Sequence, residues 1–76
     1  MSQLILYYTE FCHLCDEAEG LLLAAGLSES YQKIEIDDDP DLLKRYEIYI
    51  PVLKRIDNQQ ELFWPFNQQE LAVFLG

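Results

Sequence analysis

The chain opens on a continuous apolar run, Gln-Leu-Ile-Leu-Tyr-Tyr over residues 3–8, and then changes period. A short run of strand formers without alternation suits a central strand covered on both faces. Thr9-Glu10-Phe11 follows as a turn. From Leu14 the apolar residues recur as Leu14, Ala18, Leu21, Leu22 and Ala25, a helical stripe ended by Gly26. Asp16, Glu17 and Glu19 lie in its early turns, where negative charge suits the helix dipole. Residues 31–36 alternate, with Lys33 and Glu35 on one side and Ile34 and Ile36 on the other, the pattern of a half-buried edge strand. Asp39-Pro40 supplies an N-cap and a proline at the first helical position. It opens a short helix through Leu42, Leu43 and Tyr46. Residues 50–56 form a third predicted strand with Pro51 near its start, and Asp57-Asn58 turns it into a fourth over residues 61–64 as a hairpin. Asn67 with Glu70 three residues later has the form of a capping box. Leu71, Phe74 and Leu75 make the inward stripe of a last helix.

The predicted order is β-α-β-α-β-β-α, an α/β fold. A right-handed crossover makes the first two strands parallel neighbours. The closing hairpin then pairs its first strand with the free side of strand one, which gives a four-stranded mixed sheet of order 2-1-3-4 flanked by helices. No repeat, low-complexity segment or linker interrupts residues 1–76, so one domain is expected. A domain this small buries only about 60% of its unfolded surface. Four Phe, five Tyr and one Trp compensate with large area per side chain.

Charge narrows the partners. Asp and Glu outnumber Lys and Arg 14 to 5, a net charge of −9. Nucleic-acid phosphate and anionic membrane surfaces are therefore disfavoured. The first basic side chain is Lys33, so no positively charged leader precedes the Leu4–Tyr8 run, which is too short to span a bilayer. A cytoplasmic monomer is the expectation.

Cys12-His13-Leu14-Cys15 carries the candidate chemistry. Thiols at i and i+3 share a helix face with Cβ atoms roughly 5–6 Å apart. That is close to disulfide geometry, with Cα atoms about 4.4–6.8 Å apart. A helix N-terminus stabilises negative charge, and the thiolate is the nucleophile. Strand, Cys-x-x-Cys, helix is the order of a redox motif. As a structural staple so short a loop contributes only about 2 kcal/mol. A structural zinc wants four ligands, and the chain offers Cys12, Cys15 and its one histidine, His13. A metal or iron–sulfur site shared across a dimer stays open, as does a thioredoxin-fold interaction module whose dithiol is inactive. Tyr7 and Tyr8 fit strand packing, and Asp37-Asp38-Asp39 fits a solvated turn that caps a helix.

These blocks together resemble the small glutaredoxin-like proteins of the thioredoxin fold: Cys12–Cys15 as Cys-His-Leu-Cys, Ile36–Asp39, Pro51–Leu53, and Trp64-Pro65-Phe66 before the last helix. The resemblance spans the whole chain. It implies a thiol–disulfide oxidoreductase that carries electrons through a reversible Cys12–Cys15 disulfide with no bound cofactor or metal. It would act on protein or small-molecule disulfides, with glutathione or a thioredoxin-reductase-like enzyme as electron donor. Cys12 is expected to attack and Cys15 to resolve the mixed disulfide. His13 is a candidate cation or proton donor to the leaving thiol. Phe11 and Trp64-Pro65-Phe66 are candidates for an apolar lip around the dithiol, and Trp64 and Phe66 fit a plain core or helix-capping role equally well. The resemblance also implies a cis Ile50–Pro51 bond facing the dithiol, with the Ile50 backbone free to pair with substrate. The chain departs from ordinary glutaredoxins at Thr9, where they carry a basic residue, and at Pro65, in place of a Gly-Gly turn. Both departures imply weak glutathione dependence. Leu6 stands where thioredoxins carry a buried carboxylate.

Overall fold

The structure, a computed structural model, describes residues 3–76. Its elements are β1 (Leu4–Tyr8), α1 (His13–Ala24), β2 (Tyr31–Glu35), α2 (Pro40–Tyr46), β3 (Val52–Arg55), β4 (Glu61–Phe63) and α3 (Gln68–Leu75). The strands form one sheet in the order β2-β1-β3-β4. β1 and β2 run parallel, with Leu4 opposite Tyr31 and Tyr8 opposite Glu35. β3 is antiparallel to both of its neighbours. This is the thioredoxin-like arrangement that the sequence predicts.

Successive side chains of a strand point to opposite faces, so β1 feeds two clusters. Leu4 and Leu6 pack with Ala18 and Leu22 of α1, Leu53 of β3, Phe66, and Leu71 of α3. Tyr7 packs on the other face with Ile36, Tyr46 and Val52, and Leu42 and Leu43 of α2 lie against them. Helices α1 and α3 therefore cover one face and α2 the other. This double cover explains why β1 is apolar at every position. Burying a leucine as fully as Leu6, at 0% exposure, contributes about 1.5–3 kcal/mol.

Local chemistry sets the ends of the helices. Asp39 accepts from the backbone N–H groups of Asp41 and Leu42 at 3.0 and 3.3 Å, with Pro40 starting α2. Asn67 and Glu70 form the reciprocal capping box of α3, at 2.8 and 3.2 Å. The stripe of α1 is rotated from the expected one. Its buried residues are Cys15, Ala18 and Leu22, while Leu14 is 44% exposed and Ala25 lies beyond the helix as its C-cap. Cys15 is small and apolar enough to take the first core position, which turns Leu14 outward.

β3 begins at Val52, two residues later than the predicted start. Pro51 has no N–H to give a ladder, and the Ile50 N–H donates instead to the Tyr46 carbonyl at 3.1 Å. β4 ends at Phe63, and Trp64 leaves the strand. The register sets Tyr7 opposite Val52 and Val52 opposite Phe63. The carboxyl ends of β1, β2 and β4 and the start of β3 thus lie at one end of the sheet, and this is where the dithiol sits.

Candidate functional site: a dithiol at the head of α1

Cys12 is the N-cap of α1. Its backbone is extended at φ −104° and ψ 107°, and its Sγ accepts the Cys15 N–H at 3.1 Å. Its carbonyl accepts the Asp16 N–H, also at 3.1 Å. The sulfur thus occupies the place of a serine or aspartate cap oxygen, against the otherwise unpaired amides of the first turn. The preceding Phe11 has φ 59°, a left-handed backbone that costs an L-residue roughly 1–2 kcal/mol. Its side chain is 99% exposed, so no packing of its own offsets that cost.

Cys15 lies one turn inward and is 2% exposed. Burial pushes its thiol up to about 12, and its hydrogen bond to the Cys12 sulfur and the nearby charges of Cys12 and Asp16 push the same way. A backbone hydrogen bond from Thr9 opposes them. At neutral pH Cys15 therefore keeps its proton, and Cys12 is the sulfur that solvent reaches. Both cysteines are free thiols.

The other expected site residues divide. Pro51 is buried and the Ile50–Pro51 bond is cis, as the resemblance implies; Trp64–Pro65 is cis as well. The Trp64 N–H donates to the Pro51 carbonyl at 3.2 Å, which ties these two segments together beside the end of β1. The Trp64 ring meets Phe66 edge-on at 5.0 Å and packs against the α1/α3 core. Phe66 is core outright, at 4% exposure. The expected lip is therefore half core, with Phe11 as its free part. Ile50 is half-buried against the α2 cluster. Its N–H is not free for a substrate, because the turn after α2 has already taken it. His13 is exposed as the first residue of α1.

Tyr7 stacks on Tyr46 at 4.5 Å, and the Tyr46 hydroxyl donates to Glu61, pinning α2 to the sheet. Lys33 lies over the Tyr8 ring at 4.4 Å and pairs with Glu19 at 3.0 Å. Both tyrosines are packing residues. Sequence reasoning missed the Tyr49–Phe63 stack at 5.1 Å, half-exposed at the dithiol end. Its only signal was two aromatics flanking the Pro51 strand. Among the described residues no group of three or more His, Cys, Asp and Glu side chains is placed to hold a metal ion, and no helix is long and apolar enough to cross a membrane.

The fold recurs in solved structures. The X-ray structure of protein XcR50 from X. campestris superposes with a TM-score of 0.86 at 38% identity, over 95% of this chain and 93% of that one. Its solution structure gives 0.84 at 37% identity, over 96% and 91%. Protein Ne2328 from Nitrosomonas europaea gives 0.80 at 26% identity, over 97% and 91%. Comparison with curated proteins gives no match. The family described as Glutaredoxin-like domain (DUF836) matches residues 3–76. With the family model matching residues 3–76 and the fold in agreement, the chain belongs to the glutaredoxin-like domain family.

Proposed function

We propose that this protein is a thiol–disulfide oxidoreductase whose working parts are Cys12 and Cys15. The observation that supports it most is their asymmetry: an accessible sulfur on the helix amides, above a buried thiol held protonated. The Cys12 thiolate attacks one sulfur of a substrate disulfide. That S–S bond breaks, a mixed disulfide forms on Cys12, and the departing thiolate takes up a proton. Cys15 then releases its proton to solvent and attacks the Cys12 sulfur. The Cys12–Cys15 bond forms, and the second substrate sulfur leaves as a thiolate and is protonated. Two electrons have passed to the substrate, and an external thiol reductant restores the pair by the reverse exchange.

Two features argue for weak use of glutathione in that last step. Thr9 offers no charge to a glutathione carboxylate, and Pro65 offers no amide. A lost charge-assisted hydrogen bond is worth roughly 1.5–3 kcal/mol, or one to two powers of ten in affinity. Phe11 and His13, exposed on either side of Cys12, are the proposed contact residues, with Pro51 behind the dithiol and Ile50 and Trp64 in supporting positions.

The test is oxidation of the reduced protein by a small neutral disulfide, followed by counting thiols and mass. The parent should lose both thiols with no added mass. Cys15→Ser should accumulate a mixed disulfide on Cys12, and Cys12→Ser should stay unreacted. Full oxidation kinetics in Cys12→Ser would overturn the reading.

A further inference from the structure

This inference rests on the thiol–disulfide reading above and names its substrate class. We propose that the dithiol end docks a cationic polypeptide carrying a disulfide beside apolar residues, in preference to neutral or anionic disulfides such as that of glutathione.

The docking surface is apolar. Phe11 is 99% exposed, Ile48 80%, Tyr49 46% and Phe63 44%. The pairing of Tyr7 with Val52 and of Val52 with Phe63 brings Phe63, on the α2 face, to the end of the sheet where β1 delivers Cys12. Phe11 precedes Cys12 in the chain, and Ile48 and Tyr49 lie in the turn between α2 and β3. The aromatic stack of Tyr49 on Phe63 joins the α2–β3 turn to β4 there. Phe11 is held outward by a backbone that glycine would adopt without strain. Large side chains exposed at the end of the sheet that carries a reactive sulfur mark a contact surface.

Charge says what covers it. The segments at this end are residues 9–17, 36–39, 47–51 and 64–67. They hold seven of the chain's 14 acidic residues and no lysine or arginine. Two cations reach this end from outside those segments: Lys33 lies over the Tyr8 ring at 4.4 Å and pairs with Glu19 at 3.0 Å, and Arg45 lies over the Tyr46 ring at 5.6 Å. Against seven acids they leave it net negative. The parallel register sets Tyr8 opposite Glu35, and the Ile36 N–H donates to the Tyr8 carbonyl at 3.0 Å. These contacts gather Glu10, Glu35, Asp37 and Asp38 at the β2 edge of the dithiol end. Glu35 registers that crowding: partial burial raises its carboxyl, and Glu10, Asp38 and Asp37 raise it further. The acids alone would define no site. Set beside Cys12 and an apolar landing surface, they attract a basic partner and repel an anionic one. Such steering changes association rates by about 10–10³-fold and fades with salt.

The experiment uses three cyclic disulfide peptides that share one ring and one Leu-Phe flank, and differ only in carrying lysine, glutamine or glutamate around it. Single-turnover oxidation of the reduced full-length protein is followed by acid quench, thiol trapping and mass. At low ionic strength the lysine peptide should react at least about tenfold faster than the glutamate peptide, with glutamine between. The ratio should approach one near 1 M salt, where the screening length is about 3 Å. The triple variant Glu10→Gln, Asp37→Asn, Asp38→Asn should slow the lysine peptide severalfold and leave the glutamine peptide unchanged, which also reports that it has folded. Equal rates for the three peptides, a salt-independent ratio, or a triple variant with undiminished lysine-peptide rate would overturn the selectivity and leave the dithiol chemistry standing. Failure of every peptide and of a small neutral disulfide to oxidise the protein would overturn the dithiol reading, and the selectivity with it.

Discussion

At the end of the sheet where β1 begins, Arg55 donates to the Phe74 carbonyl at 2.8 Å and grips Asp57 through two nitrogens at 3.0 and 2.6 Å, while the Ile56 N–H donates to the Gln3 carbonyl at 3.0 Å. One side chain there ties β3, the hairpin turn and the carboxyl end of α3 together. At the end where β1 stops, the comparable positions carry a sulfur cap, a left-handed Phe11, exposed aromatics and a cluster of acids around Glu35. Both ends draw on the same core, since Leu4 and Tyr7 lie at opposite ends of one strand and are both buried. The difference between them is what the polar and apolar groups are paired with. At the Arg55 end one charged side chain binds three segments together, whereas at the dithiol end the backbone groups are paired and large apolar side chains stay exposed.

The sharpest break in that comparison is Cys12→Ser, which should abolish disulfide turnover while the thermal midpoint stays close to that of the reduced parent, as followed by circular dichroism. Leu6→Ala acts on what the two ends share. It should cost about 2–5 kcal/mol in urea unfolding, while Cys12 reacts at an undiminished rate in the fraction that remains folded.

Alkali should loosen the dithiol end first. Cys15 binds its proton more tightly when folded, at about 12 against the ordinary 9.0. The unfolded chain therefore loses this proton first as pH rises. The stabilisation is fully present below about pH 9 and should fade towards pH 12 by roughly 1.4 kcal/mol per pH unit. Tyr31, pushed up to about 12 by burial and by its hydrogen bond to Glu19, adds to the loss only above its ordinary 10.0. In Cys15→Ala the decline should accordingly begin about one pH unit later, a shift that urea midpoints between pH 8 and 11 resolve.

The smallest effect belongs to Phe11→Gly. Release of the left-handed strain should leave stability unchanged or raise it by up to about 1 kcal/mol, because the ring packs against nothing in the chain. Oxidation by apolar-flanked peptide disulfides should slow at the same time. A clear loss of stability would show that Phe11 is a structural residue.

Much of this was legible in the residues. The strand order followed from one crossover rule and one Asp-Asn turn, and the caps at Asp39 and Asn67 declared themselves because their hydrogen bonds are local. The pattern misplaced what depends on distant partners. Leu14 and Ala25 matched a helical stripe, yet Cys15 took the core position because the sheet lay on its side of α1. Ile50 looked free because its partner, the Tyr46 carbonyl, belongs to the preceding helix. The crowding of Glu10 with Asp37 and Asp38 was hidden for the same reason. It exists only once Tyr8 and Glu35 are in register.

The central claim is the division between an accessible sulfur and a buried thiol, and alkylation tests it most directly. Fully reduced protein is treated with iodoacetamide at pH 7, quenched over time and mapped by peptide mass. Burial pushes the Cys15 thiol up to about 12, so it carries very little thiolate at pH 7, and burial restricts its access further. The account predicts that Cys12 is labelled at least about a hundredfold faster than Cys15. Comparable labelling of the two, or faster labelling of Cys15, would contradict it.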